Sequence, residues 1–408
     1  MIKKIIISFI LMFCFIPYVN ASKIDGDAIV NGKVYDNLED AIKNASSTDT
    51  IKLVNDVDID NTLVISKTVN IDLNGNDITS DGVVFQVEGG VLNLEGKGSI
   101  IEQKPSYGAI MVKGSSDNSK EYYSVVNIGS DVSLQGWSGV FINHNNSKAY
   151  GVVVNLEGNI NAVDDTEGGT GVGVYVNGNI KDEVNRPIVN IDGASITSTG
   201  NGLYIAGNST FNIKNSYING IESAIGMKSG SLNIEASTIE CSGSDDTPTE
   251  GYNNGIKASG TAIQIESNNG YAGGMDINIK SGDYKSKNSY VIYEYIGRGT
   301  TSLVDNITIS GGNFTSDKKD VFLVSDSFKD KHSKFITGGK FSSNPNMFLA
   351  SGYTTSVDSD IYTVVKSTMG SILKIDSSNN NYGIILIATI LIVGIGVVVY
   401  LNRSKIFN

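Results

Sequence analysis

A triplet of apolar residue, Asn, apolar residue recurs along the chain. It stands at Val69-Asn70-Ile71, Leu92-Asn93-Leu94, Val126-Asn127-Ile128, Val154-Asn155-Leu156, Val189-Asn190-Ile191, Phe211-Asn212-Ile213, Leu232-Asn233-Ile234 and Ile277-Asn278-Ile279. Ile307-Thr308-Ile309 takes the same place in a later turn. Alternate side chains of a strand face opposite ways, so both apolar residues point inward and the Asn points outward. About five residues later comes a second apolar position (Ile196, Ile218, Ile239, Tyr284, Phe314), which marks a second short strand after a tight bend. Upstream of the triplets lies a third kind of segment, a small residue followed by alternating apolar positions. Gly139-Val140-Phe141-Ile142, Gly173-Val174-Tyr175-Val176 and Gly202-Leu203-Tyr204-Ile205 are examples.

Three strand phases in fixed order, with triplets 22 residues apart from Ile191 to Ile213 and 21 from Ile213 to Ile234, predict a solenoid. Longer intervals read as loops inserted at the bends, such as 113–123 and 242–254, which a stack tolerates. A sandwich would show hairpin turns every 8 to 12 residues or so and no reason for one three-phase order to recur. The expected fold is therefore all-β, a right-handed parallel β-helix of about a dozen turns, a rod of order 50 to 60 Å. Its outward Asn residues read as a solvated polar face with some ladder stacking.

The open ends of such a rod need covers, because they expose strand edges and core. Asn37 to Ala45 places an N-cap Asn before apolar residues at helical spacing, a helical cap for the first turn. It sits between a short strand over 28–35 and a strand over 50–54. Gly352 to Val365 reads as a closing hairpin.

The two ends of the chain carry different signals. Residues 1–21 have Lys3 and Lys4, an apolar run and a small-residue close at Ala21, the pattern of a cleaved signal peptide. That apolar run is shorter than the roughly 20 residues needed to span a membrane. Residues 382–401 are uncharged and rich in Ile, Leu and Val, and Arg403 and Lys405 follow. This predicts one C-terminal transmembrane helix with a cytoplasmic tail over 402–408, since basic residues stay inside. Residues 22–365 are then the extracellular β-helix, 366–381 a Ser- and Asn-rich stalk, and the location the plasma membrane.

Composition narrows the partners. A net charge of -12 argues against nucleic acid, whose phosphates need basic patches. Of two cysteines, Cys14 leaves with the signal peptide, so Cys241 has no intramolecular partner and reads as a small buried hydrophobe. Without disulfides, stability rests on the core of about 340 ectodomain residues.

At these residues the chain resembles the pectin lyase-like β-helix superfamily, in particular bacterial surface proteins whose helix opens on Leu-Glu-x-Ala-Ile and continues into Ile-Asp-Leu-Asn-Gly. Here those are Leu38 to Ile42 and Ile71 to Gly75. The segments 336–345, 348–353 and 362–365 resemble the terminal turns of that group. The resemblance implies architecture over most of 24–365. It does not imply one activity, because the superfamily includes lyases, hydrolases, esterases and adhesive proteins.

Enzymes of that group imply calcium-binding carboxylates with an Arg or Lys base, or paired aspartates with a His. This chain departs from both patterns. His144 and His332 lie in no Gly-His-Gly setting, and Arg186 and Arg298 read as loop residues. No catalytic residue is assigned, and a lysine base is left open. Two loops, Asp164-Asp165-Thr166-Glu167 and Asp245-Asp246-Thr247-Pro248-Thr249-Glu250, are oxygen-rich and are candidate calcium ligands through Asp164, Asp165, Glu167, Asp245, Asp246 and Glu250. No other cofactor is expected. Tyr122, Tyr123, Trp137 and Tyr150 are candidate stacking platforms for sugar rings. Tyr175 and Tyr204 take outward strand positions. The reading is a membrane-anchored surface adhesin or display rod with a glycan or a host or neighbouring surface as ligand. The alternative is a cell-surface polysaccharide lyase or hydrolase, with a non-catalytic carbohydrate-binding module between the two.

Overall fold

The computed structural model describes residues 24–104, 107–142, 149–163, 170–178, 183–244 and 260–367. The expected signal peptide, transmembrane helix, tail and most of the stalk lie outside these residues, as do both acidic loops and His144. No helix among the described residues is long and apolar enough to cross a membrane.

The described chain coils through three long sheets of 12, 13 and 10 strands. One turn shows the order. Ile188–Asp192 lies in the triplet sheet, Ser195–Ser198 in the second, Asn201–Ile205 in the third, and Thr210–Lys214 opens the next turn of the triplet sheet. Apart from the terminal hairpins, neighbours in each sheet pair in parallel, and the repeats stack in register: Ile191 on Ile213 on Ile234, and Asn190 on Asn212 on Asn233. Buried apolar side chains from all three sheets form one continuous core. Where the third sheet approaches the second, the column reads Gly139, Gly173, Gly202, Ala224. A Cβ on Gly173 would meet Ile196 Cγ2 and the Gly202 carbonyl at 2.3 Å, so packing selects the small residue. The bend after the triplet is made by left-handed residues, among them Asn74 at φ 52° and Asn215 at φ 48°. Asn enters that region at lower cost than most side chains.

Outside the core, the triplet Asn residues form a hydrogen-bonded ladder. Each side-chain Nδ2 donates to Oδ1 of the Asn one turn earlier, from Asn93 on Asn70 at 2.6 Å to Asn233 on Asn212 at 3.0 Å. Asn70 ends the ladder by donating to the backbone oxygens of Ser47 and Asp49. All these amides point the same way, which fixes the register of the turns with polar groups as the inward apolar residues do with packing.

The N-terminal cap is helix α1, Leu38–Asn44, which buries Leu38, Ala41 and Ile42 over the first turn. Asn37 Oδ1 accepts from the Asp40 amide at 2.8 Å, the capping bond its position predicts. The expected single strand over 28–35 is a hairpin instead, Ala28–Val30 against Lys33–Tyr35. Asn31 and Gly32 both take positive φ, as a two-residue turn requires. At the other end, helix α2, Asp326–Lys331, had not been anticipated. With Phe328 it closes an aromatic plug of Phe322, Phe335, Phe341 and Phe348, and the hairpin Tyr353–Asp358 and Ile361–Lys366 completes the cover.

Arg186, expected as a loop residue, ties successive turns together. Its guanidinium donates to Thr210 Oγ1, Asn208 Oδ1 and Ser231 Oγ at 2.8–2.9 Å. Replacing it with Ala should lower stability by about 2–3 kcal/mol, measured by urea unfolding. Lys should not restore the loss, because an ammonium cannot span three acceptors with a fixed fork.

Candidate functional site

The outer face of the third sheet is the most chemically loaded surface of the coil. Outward positions of successive strands stack Met111, Phe141, Tyr175, Tyr204, Gly226 and Gln264 in register. The rings of Phe141, Tyr175 and Tyr204 lie nearly parallel, with centroids 4.7 and 4.8 Å apart. These outward rings are nonetheless buried, Tyr175 at 4 % exposure and Tyr204 at 1 %, in a second apolar cluster beneath Trp137 and Tyr271. Burial pushes the Tyr175 hydroxyl up to about 12 and raises that of Tyr204 further.

Two residues further along these strands the face turns polar. Lys228 Nζ lies 2.8 Å from Glu266 Oε2, with 2 % and 8 % of the two side chains exposed. Tyr295 donates its hydroxyl to Glu266 Oε2 at 2.9 Å, and Asn268 Nδ2 donates to Glu266 Oε1 at 2.6 Å. Lys228 Nζ also donates to the Tyr271 hydroxyl at 3.2 Å and sits over that ring. Burial and the Glu266 carboxylate raise the Tyr295 hydroxyl well above the usual phenol range. At the opposite end of these strands Asn201 Nδ2 is buried without a hydrogen-bond acceptor. An ammonium, a carboxylate and phenols within hydrogen-bond reach are groups that move protons.

At the other end of the third sheet a carboxyl carries a pH dependence. Burial pushes Glu222 up to about 7 from 4.5. Between those values the folded group keeps a proton that the unfolded chain gives up. Its contribution is therefore complete below pH 4.5 and is lost as pH rises through 7. Urea midpoints from pH 4 to 8 should fall less steeply in Glu222→Gln than in the unchanged chain. Cys241, with its Sγ 3.4 Å from the Glu222 carbonyl oxygen, is buried as expected, and burial holds its thiol at about 12, the protonated form at neutral pH.

The triplet sheet offers a different surface. An open groove of about 460 Å³ runs over Asn190, Asn212, Asn233 and Asn278. Asp192, Lys214 and Glu235 stack in register along one side, with Lys280 3.4 Å from Glu235. One turn beyond the last rung, Asn278 pairs in register with Asn233 and accepts from Thr308 Oγ1 at 2.8 Å.

The expected aromatic platforms do not come together. Tyr122 is 67 % exposed. Tyr123 is half-buried against Gly89. Trp137 is half-buried and packs edgewise on Phe141 and at 5.5 Å from Tyr175. Tyr150 is corrected: at 4 % exposure it belongs to the main core, and its ring offers no face to a sugar. Its backbone forms an isolated bridge with Ser115. Among the described residues no group of three or more His, Cys, Asp or Glu is set to hold a metal ion. The six candidate calcium ligands Asp164, Asp165, Glu167, Asp245, Asp246 and Glu250 lie outside those residues. His332 binds the Val304 carbonyl through Nε2 at 2.8 Å and packs on Phe328. Sequence reading passed over Lys228, Glu266 and Tyr295. Each is a charged or phenolic residue among alternating apolar positions, and only the stacking of turns joins them. No protein-family model, curated protein or solved structure matches this chain.

Proposed function

We propose that this chain is a membrane-anchored extracellular adhesin, a right-handed β-helix of the pectin lyase-like kind that displays a glycan-binding groove on a stiff rod. The observation that carries the reading is the open groove over the Asn ladder. Its amides repeat at the strand spacing of roughly 4.8 Å, comparable to one sugar ring in an extended chain. Carboxylates and ammonium groups alongside suit the paired hydroxyls of such rings. Capping at both ends keeps the rod from pairing with others through its open sheet edges. Calcium at the acidic loops and the single C-terminal helix as anchor are parts of the same proposal.

The test uses intact cells. Protease should release the ectodomain by cutting in 366–381, and chains ending before Tyr382 should be secreted folded. The shed form should compete with cells for the same surface, and Lys214→Ala should weaken that competition. Retention of the chain by the cell after removal of 382–408, or shed protein that does not compete, overturns the reading.

The runner-up, a polysaccharide lyase or hydrolase, is favoured by one observation, the Lys228, Glu266 and Tyr295 cluster with its base and acid groups in contact. Burial of the Lys228 amine withholds it from a polymer, which is why the adhesin reading comes first. Release of reducing or unsaturated ends from a polysaccharide panel, lost in Lys228→Ala, would reverse that order.

A further inference from the structure

Glu266 bridges an amine and a carboxamide. Its Oε2 holds Lys228 Nζ at 2.8 Å, and its Oε1 accepts from Asn268 Nδ2 at 2.6 Å. The carbonyl of the same carboxamide is polarised, because Asn268 Oδ1 accepts from the Gly270 amide at 2.9 Å. Tyr204 and Tyr271 present ring faces to Nζ, and Tyr295 closes the side of the carboxylate. These rings limit the water that would compete as nucleophile.

We propose that Lys228 and Asn268 form an intramolecular amide cross-link, with Glu266 as the proton carrier. Glu266 takes a proton from the Lys228 ammonium, and the freed Nζ lone pair forms a bond to Asn268 Cγ. Negative charge gathers on Oδ1, where the Gly270 N–H already donates. Glu266 then delivers the proton to Nδ2, and the Cγ–Nδ2 bond breaks with its electron pair leaving on nitrogen. Nζ sheds its second proton to the departing ammonia. The balance is an ammonium and a carboxamide in, a secondary amide and one ammonium ion out. Nothing is oxidised or reduced, and Glu266 is regenerated.

The position gives the bond a structural purpose. Lys228 follows the third-sheet strand Ser223–Met227, and Asn268 ends the strand one turn later, Thr261–Asn268. Between them runs the long insertion that includes 245–259. A bond here joins the ends of two third-sheet strands that stack on one another and closes the chain between them into a covalent ring.

The experiment is intact-mass measurement of the full chain, followed by tryptic mapping. The expected result is a mass lower than the sequence mass by one ammonia, with a branched peptide joining Lys228 to Asn268 and no cleavage after Lys228. Asn268→Ala keeps the Lys228–Glu266 pair and should restore the full mass. Lys228→Arg keeps a cation beside Glu266 but has no amine to acylate, and should do the same. Loss of ammonia that survives either variant belongs to a succinimide, for which Asn269-Gly270 is a ready source, and overturns the proposal. A full mass in the unchanged chain, or loss of water in place of ammonia, overturns it as well.

Discussion

Replacing Ile213 with Asp should leave no folded chain. Ile213 is 1 % exposed and stacked between Ile191 and Ile234, so the new carboxylate would enter the core with no cation and no donor in reach. An unpaired buried charge costs several kcal/mol, comparable to the 5–15 kcal/mol or so that holds a typical domain together. In a coil each turn rests only on its neighbours, so one broken rung also interrupts the stack above and below. Yield of soluble protein and protease resistance measure the outcome. Wild-type yield with intact resistance would mean that Ile213 does not face the core. Asn212→Asp, one residue away on the outer face, should cost far less. It removes the amide donor to Asn190 but leaves the new charge half-exposed.

Glu266→Leu should be nearly as damaging, and the damage should be reversible by a second change. The measurement belongs in an Asn268→Ala background, where Lys228 and Glu266 can interact only as an ion pair. Leu at 266 leaves Lys228 buried with no counter-charge, at a cost of about 3–5 kcal/mol. Adding Lys228→Met removes the stranded ammonium and should recover most of that loss, because two apolar side chains suit the Tyr204 and Tyr271 rings as well as the ion pair does. Urea midpoints of the single and double variants decide the matter. Equal instability of the two would show that Glu266 contributes through its hydrogen bond to Tyr295, not through its charge.

The architecture was legible because its determinants are local and repeat. The apolar-Asn-apolar triplet defines an inward and an outward side within three residues, and the recurrence of three phases excludes hairpin topologies. The cap α1 was legible for the same reason, since Asn37 and the apolar spacing of Leu38, Ala41 and Ile42 act within one turn of helix. Helix α2 carried a comparable signal that was passed over: Ser325 as N-cap, Asp326 in the first turn, Lys329 and Lys331 in the last.

The outer surface was not legible in that way. Tyr175 and Tyr204 alternate with core residues and read as solvent-facing, yet they are buried, because other parts of the chain cover the third sheet. Tyr150 read as a loop aromatic and is in the core, and its backbone bridges to Ser115, a residue distant in sequence. Arg186 read as a bend residue and is a clamp, because its three acceptors come from later turns. The sequence by itself determined which side chains alternate, how the phases recur and where the coil is capped, since those depend on neighbours a few residues away. Only the tertiary structure decided which outward positions are covered and which polar groups meet. Lys228 and Glu266 are far apart along the chain and 2.8 Å apart in the fold, and what sets that distance is the stacking of one turn on the next across the inserted loop.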